Sequence, residues 1–515
     1  MALQTKRKLM MLLVLCTLLV ISACSSASKE GATPTAATNE TKEKEVSFLF
    51  NFASQTIDPH QDYTPLRAGV TETLVKLGED LKIQPWLADK WDTTDGQHWT
   101  FEIKPDVTFQ DGRALDAEAV RKSLERAIQV NPGVEQVLKI QEMRASGQTL
   151  SITTKQPFPQ FPSELVHPNT SIMDVNAADP DHKPVGTGPF KVTSFTAGSS
   201  LKVERYNNYW GGAAKLSRAS FNFNEDASAR LSALMSGDAD IVYRPPVESM
   251  ETMKADTSLH IESVLSLKTH ELIFNTHQPE FQNKYVRKAF DALANREELK
   301  DVIMGGQATV AAGPFMPNFS FNPKYENRKT GTEAALEWFQ KAGYQVTQGK
   351  VSKDGKPLSL KLVTYTSRAE FPLFAQVLQA QAKEIGINIS IEFLDQYEDY
   401  LLTKDDWDLG TYSPLIAPRG DASYFLNVSF KPDGSLNFGK IDDPQLTKWI
   451  DELDQMVDTD KRTALIQNIL SYIDQETYYS YLVHPNILVA YKDRVKHWVT
   501  SKSEYYMLTN QLDVE

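Results

Sequence analysis

The side chains that could do chemistry are few and scattered. Nine histidines (His60, His98, His167, His182, His260, His270, His277, His484 and His497) stand singly. None falls into HxH, HExxH or a His/Cys cluster, so a built-in zinc site is not indicated. GxSxG, a Walker loop and GxGxxG are missing as well, which leaves no sequence support for an enzyme. One stretch does concentrate useful groups. "PHQDYTPLRAG", residues 59–69, sets His60, Asp62, Tyr63 and Arg67 within eight positions. It could be a metal site, a grip for an anionic ligand, or a polar loop.

The elements that must position such groups begin with an export pattern. Lys6, Arg7 and Lys8 form a basic head, and Leu9 to Ile21 is apolar but for Cys16 and Thr17. Small residues follow, as in an export signal over residues 1–23. The apolar run is shorter than the ~20 residues a comfortable transmembrane helix needs. Ile21-Ser22-Ala23-Cys24 resembles the bacterial lipobox, which implies lipidation at Cys24. Cleavage there would remove Cys16 and leave no disulfide. That is acceptable in an exported chain with a large core. Residues 24–45, rich in Ser, Thr, Ala, Lys and Glu, read as a flexible tether.

The body, from about Val46 to Glu515, is too long for one hydrophobic core and predicts two or three domains. The formal charge of the full chain is −13. Loss of Lys6, Arg7 and Lys8 would make the chain more acidic still. Nucleic acid and anionic membrane surfaces are poor partners for it. Helix and strand patterns alternate. "WTFEIK" (Trp99–Lys104) predicts a half-buried strand. Asp116 then caps a helix carrying Val120, Leu124, Ala127 and Ile128 on one face. "LSITTKQP" and "LKVERY" predict further strands. A helix from Val286 runs toward Gly305 and Gly306. A helix from about Glu370 ends at Gly386, before the strand "INISIEF". Helices recur from Pro444 to Gln475, and "YSYLVHPNILVAY" closes with strand-like runs. Such mixing predicts an α/β protein.

Five segments together resemble the solute-binding proteins of peptide and nickel ABC importers (family 5). They are Leu74–Val120, "GTGPFKV" (186–192), "RYNNYWGG" (205–212), "DASARLSALMSGDADIV" (226–242) and "VRKAFDALANREEL" (286–299). The resemblance implies a two-lobed, periplasmic-binding-protein-like α/β fold (type II, cluster C) with an extra domain on the first lobe. Lobe I would span 46–272, with the extra domain at about 78–184. Lobe II would span 273–482, and 483–515 would return to lobe I. Gly186 and Gly188 permit backbone turns that a Cβ would hinder, and Trp210 is expected in a core or hinge.

Within that family the chain is similar to the nickel-binding members. "DPHQDYTPLRAG" resembles their N-P-H-x-Y-T-P stretch, which implies that Tyr63 and Thr64 line the cleft, with Arg67 at the same mouth. "DLGTYSPLIAPRGDASYFLN" (Asp408–Asn427) aligns with a cleft loop and points to Tyr412, Arg419 and Asp421. Arg419, where the nickel pattern has Tyr, is the leading choice for a ligand carboxylate, and it could share an anionic ligand with Arg67. Asp421 could bind an amine or cap the following helix. In "FPSELVHPNTSIMD" (Phe161–Asp174), Asn169 stands where nickel members carry a clamping Arg. His60 and His167 lie in cleft segments and are the two candidate metal contacts.

These departures imply a different anionic chelate, such as nickel or a similar divalent metal held by a carboxylate-rich metallophore. The alternative is a dipeptide or oligopeptide. No resident cofactor is expected. The expected partners are an ABC permease and ATPase, with the membrane met through the lipid anchor alone and the protein a monomer.

Overall fold

The computed structural model describes residues 43–326 and 328–515. The expected signal, Cys24 and most of the tether lie outside the described residues. The described chain is an α/β protein whose two main sheets share one strand, Tyr479–Lys492. At 14 residues this strand is about 46 Å long at ~3.3 Å per residue. Its first part pairs antiparallel with His270–Phe274, placing Tyr479 opposite Ile273. Its last part pairs antiparallel with Ile241–Tyr243, placing Val489 opposite Tyr243.

On the Ile241–Tyr243 side the strand order continues through Glu45–Phe50, Arg218–Phe223, Ser200–Arg205 and Phe190–Thr196. Glu45–Phe50 runs parallel to Arg218–Phe223 and stacks Phe48 on Phe221 with ring centroids 4.4 Å apart. Strand pairing therefore begins at Glu45, and Lys44 O already accepts the Ser217 N–H at 2.8 Å. The body starts slightly before the expected Val46. On the other side come Leu409–Tyr412, Ser359–Thr364 and Asn388–Phe393. The last two run parallel and are joined by the helix Glu370–Glu384, a βαβ crossover.

A separate antiparallel sheet of four strands lies within residues 88–154, and the helix Ala117–Val130 packs on it. Asp116 Oδ1 accepts the Ala119 N–H at 2.8 Å, so the expected cap is present. One expectation needs correction. The helix from Val286 ends at Leu293 rather than near Gly305, because Asn295 caps a new turn by accepting the Glu298 N–H. The expected lobe boundary at 272/273 falls inside the strand His270–Phe274.

Two of the sequence motifs meet at one buried carboxylate. Glu72 accepts from Thr187 Oγ1 at 2.7 Å, Tyr209 Oη at 2.7 Å and Trp210 Nε1 at 2.9 Å. Thr187 belongs to "GTGPF", and Tyr209 and Trp210 belong to "NNYWGG". Burial pushes the Glu72 carboxyl up to about 7, against the pull of these three donors. Gly186 and Gly188 serve close approach rather than turning. A Cβ would meet Val70 O at 2.1 Å from the first and Gly69 O at 2.3 Å from the second. Glu72→Gln exchanges an acceptor for an amide donor among three donors. It is expected to destabilise the protein by about 1–3 kcal/mol, read as a lower urea midpoint at pH 8. An unchanged midpoint would contradict this role.

Candidate functional site

A cavity of ≈ 390 Å³ opens between the four-stranded-sheet region and the second lobe, a size suited to a small-molecule ligand. Asn131 builds one wall. Its Oδ1 caps the helix Pro132–Leu138, and its Nδ2 donates to His60 O at 2.7 Å. Lys139 follows in the left-handed region (φ 49°) and reaches across to Asp454 at 3.5 Å. The one-turn helix Phe161–Glu164 delivers Glu164, and the turn Pro168–Thr170 delivers Asn169. The opposite wall comes from the loop before the helix Ser423–Phe430. Gly420, at φ +72°, lies so close to Leu81 O that a Cβ there would sit 2.3 Å from it.

Arg419 is the central group of this wall. It is 3% exposed and forms an ion pair with Glu164, which is 5% exposed. Its guanidinium lies over the Tyr424 ring, 4.3 Å from the centroid. Burial pushes the Glu164 carboxyl up, against the pull of Arg419. Burial also works against the Arg419 charge, but Glu164, Tyr424 and Tyr505 offset it and the net shift is upward. Arg419 therefore stays cationic. Charge around the cavity is balanced, with Lys139, Arg419 and Lys431 facing Glu164, Asp433 and Asp454.

Of the residues singled out from sequence, Asn169, Arg419 and His167 line the cavity. Tyr63 lies directly behind, its hydroxyl 2.9 Å from His167 Nε2. The others are engaged elsewhere. The Thr64 hydroxyl faces inward onto Ser54 Oγ at 2.6 Å. Asp421 accepts from Ser423 N at 2.7 Å and Arg462 Nη2 at 2.9 Å, so it serves the helix start and has no charge free for an amine. Tyr412 donates to Glu398 at 2.7 Å. Arg67 lies over the Phe52 and Tyr63 rings and donates Nε to Glu504 O at 3.0 Å. It does not join Arg419 in the cavity.

Both histidine metal candidates are corrected by their hydrogen bonds. His167 Nδ1 accepts the Asn169 N–H at 3.3 Å, which leaves Nε2 as the protonated nitrogen, donating to Tyr63 Oη. Burial, with help from Arg419, holds His167 well below 6.5 and therefore neutral. His60 is fully buried. Its Nδ1 accepts from Arg126 at 2.7 Å, and its Nε2 donates to Ser171 O at 3.1 Å. Neither ring keeps a free lone pair for a metal. Among the described residues no group of three or more His, Cys, Asp or Glu could hold one.

The sequence reading missed Glu164, Tyr424 and a second buried group around Glu504. Lys268 Nζ contacts Glu504 at 2.5 Å and Arg244 Nη2 contacts it at 3.3 Å. Burial brings Lys268 down to about 7 against the pull of Glu504. Glu164 did leave a signal. It is a lone acid beside Phe161, Leu165 and Val166, and such an acid needs a cation when buried.

The two sheets joined by one strand, with a cavity between lobes, define a solute-capturing fold. The family model for bacterial extracellular solute-binding proteins, family 5 (middle), matches residues 82–437. The chain belongs to that family. A crystal structure described as the nickel ABC transporter of Bacillus halodurans is 51% identical, with 92% of this chain and 100% of that one covered at a TM-score of 0.80. NikA from Staphylococcus aureus, in complex with Ni(L-His)2, is 28% identical with the same coverages and a TM-score of 0.81. The glutathione-binding protein GsiB of Salmonella paratyphi A is 27% identical over 395 residues, covering 73% of this chain and 75% of its own.

Protonation of His60 should govern part of the acid stability. It titrates at about 4 when folded, chiefly through burial, against 6.5 for the free side chain. Between those values the unfolded chain binds more protons, so stability falls as pH drops from 6.5 toward 4. The gap is worth up to about 3 kcal/mol. In urea titrations from pH 7 to 4, His60→Gln should lose stability less steeply than the parent. Equal slopes would contradict the buried, neutral His60.

Proposed function

We propose that this protein is the receptor of an ABC importer for a chelated divalent metal, nickel foremost, tethered outside the cell membrane by a lipid on Cys24. It would close its lobes on the chelate and pass it to a permease driven by an ATPase, acting as a monomer. One observation carries the reading. The cavity offers a buried, planar, cationic fork at Arg419 but no cluster of three or more metal-ligating side chains among the described residues. A ligand that brings its own metal donors and presents carboxylates outward fits those two facts together. The Ni(L-His)2 held by the S. aureus relative is of this kind.

A peptide is the second reading, favoured by the glutathione-binding relatives. Its weakness is that Asp421, the acid expected to hold a peptide amine, is occupied by Arg462.

Isothermal titration with nickel chloride plus L-histidine at pH 7 tests the first reading. The informative variant is Arg419→Lys, which leaves Glu164 a cation but removes the fork. Truncation to Ala would instead leave a buried carboxylate alone and lower stability, so no unchanged melting temperature is expected of it. Arg419→Lys should bind the nickel–histidine mixture at least tenfold more weakly. Binding equal to the parent would remove Arg419 from the site. Peptide masses, rather than a nickel isotope pattern, in native mass spectra of protein from its own host would favour the second reading.

A further inference from the structure

We propose that Glu164 is a specificity residue: with Arg419 it forms a two-pronged site for an α-amino-acid head group, Glu164 taking the N–H donors of the amine and Arg419 the carboxylate. The inference rests on the reading of this cavity as the ligand site.

The two side chains approach from opposite walls of the cavity, and both line it. Each is more than nine-tenths buried. They form an ion pair through Arg419 Nη1 and Glu164 Oε2, while Arg419 Nε takes part in no hydrogen bond among the described residues. A buried guanidinium N–H therefore lacks a hydrogen-bond partner, and the Glu164 carboxylate has only that guanidinium as its partner among the described residues, in a space large enough for a small molecule.

The exchange on ligand entry decides the chemistry. A buried ion pair can be opened without loss only if each charge meets a new partner. A head group with an amine and a carboxylate replaces the pair charge for charge. The amine can be protonated or metal-bound, since both forms present N–H donors. A ligand with carboxylates alone satisfies Arg419 and strands Glu164. It also meets Asp433 and Asp454, which line the same space. The balanced charge of the cavity thus disfavours polycarboxylate chelators. Of the other acids, Asp421 is held by Arg462 and Ser423, Asp454 by Asn427 at 2.9 Å and by Lys139, and Asp433 is exposed rather than buried beside Arg419.

The test compares nickel chloride plus L-histidine with nickel chloride plus citrate by isothermal titration. The parent should prefer the histidine mixture. Glu164→Gln should weaken it at least tenfold while leaving the citrate mixture unchanged or tighter. Equal weakening of both would show that Glu164 serves lobe closure alone and overturn the proposal, as would no change in either. Glu164→Asp is read in place of Gln if the latter does not fold, with the same selective loss expected and the same outcomes overturning it. If the parent binds neither mixture, the metal reading fails and Ala-Ala is compared with N-acetyl-Ala-Ala. Loss of the free-amine preference in the variant then supports Glu164, and an unaltered preference overturns it. A parent that binds none of the four probes overturns both.

Discussion

A buried guanidinium needs a carboxylate, and Arg419 finds its partner across the cavity. Arg419 stands in the loop before the helix Ser423–Phe430, while Glu164 ends a one-turn helix beside the four-stranded sheet. Left alone, either charge would cost several kcal/mol in such a place. The pair therefore couples lobe position to cavity electrostatics, and any ligand that enters must take over both charges. Lys139 and Asp454 repeat the coupling more weakly and nearer the surface.

The rest of the fold keeps that coupling in register. The long strand Tyr479–Lys492 belongs to both main sheets, so the lobes share a continuous backbone rather than a loose linker. Gly420 allows the Arg419 loop to pass against Leu81, where any Cβ would collide. Glu72 gathers Thr187, Tyr209 and Trp210 from distant segments. The polar site is therefore mounted on buried, fully bonded supports, as a preorganised site requires.

Much of the fold was legible in the sequence. Asp116 capping its helix and the strand following Gly386 depend on local chemistry, and both are present. The helix after Val286 was read as too long because its apolar stripe carries on past Ala294, and the cap at Asn295 interrupts it with a single side chain. The site was less legible. Arg419 and Asn169 could be placed from segment pattern, and both line the cavity. Arg67 was placed at the cleft mouth because spacing shows that a charged residue is near a cleft but not which partner has already claimed it, and of the two roles open to Asp421 the one at the start of the following helix is present. His60 and His167 were misread for a related reason. Whether an imidazole lone pair is free depends on Arg126 and on the backbone of Asn169, which only the tertiary structure brings into contact.

The central claim is that the cavity between the lobes holds a chelate whose metal is ligated by the chelator. Crystals grown with nickel and L-histidine, measured at the nickel absorption edge, test it directly. The account predicts one strong anomalous peak in the cavity bounded by His167, Arg419 and Tyr424, with no protein nitrogen or oxygen within the ~2.1 Å typical of a metal bond. A peak bonded to His60 or His167, or one outside the cavity, would contradict it.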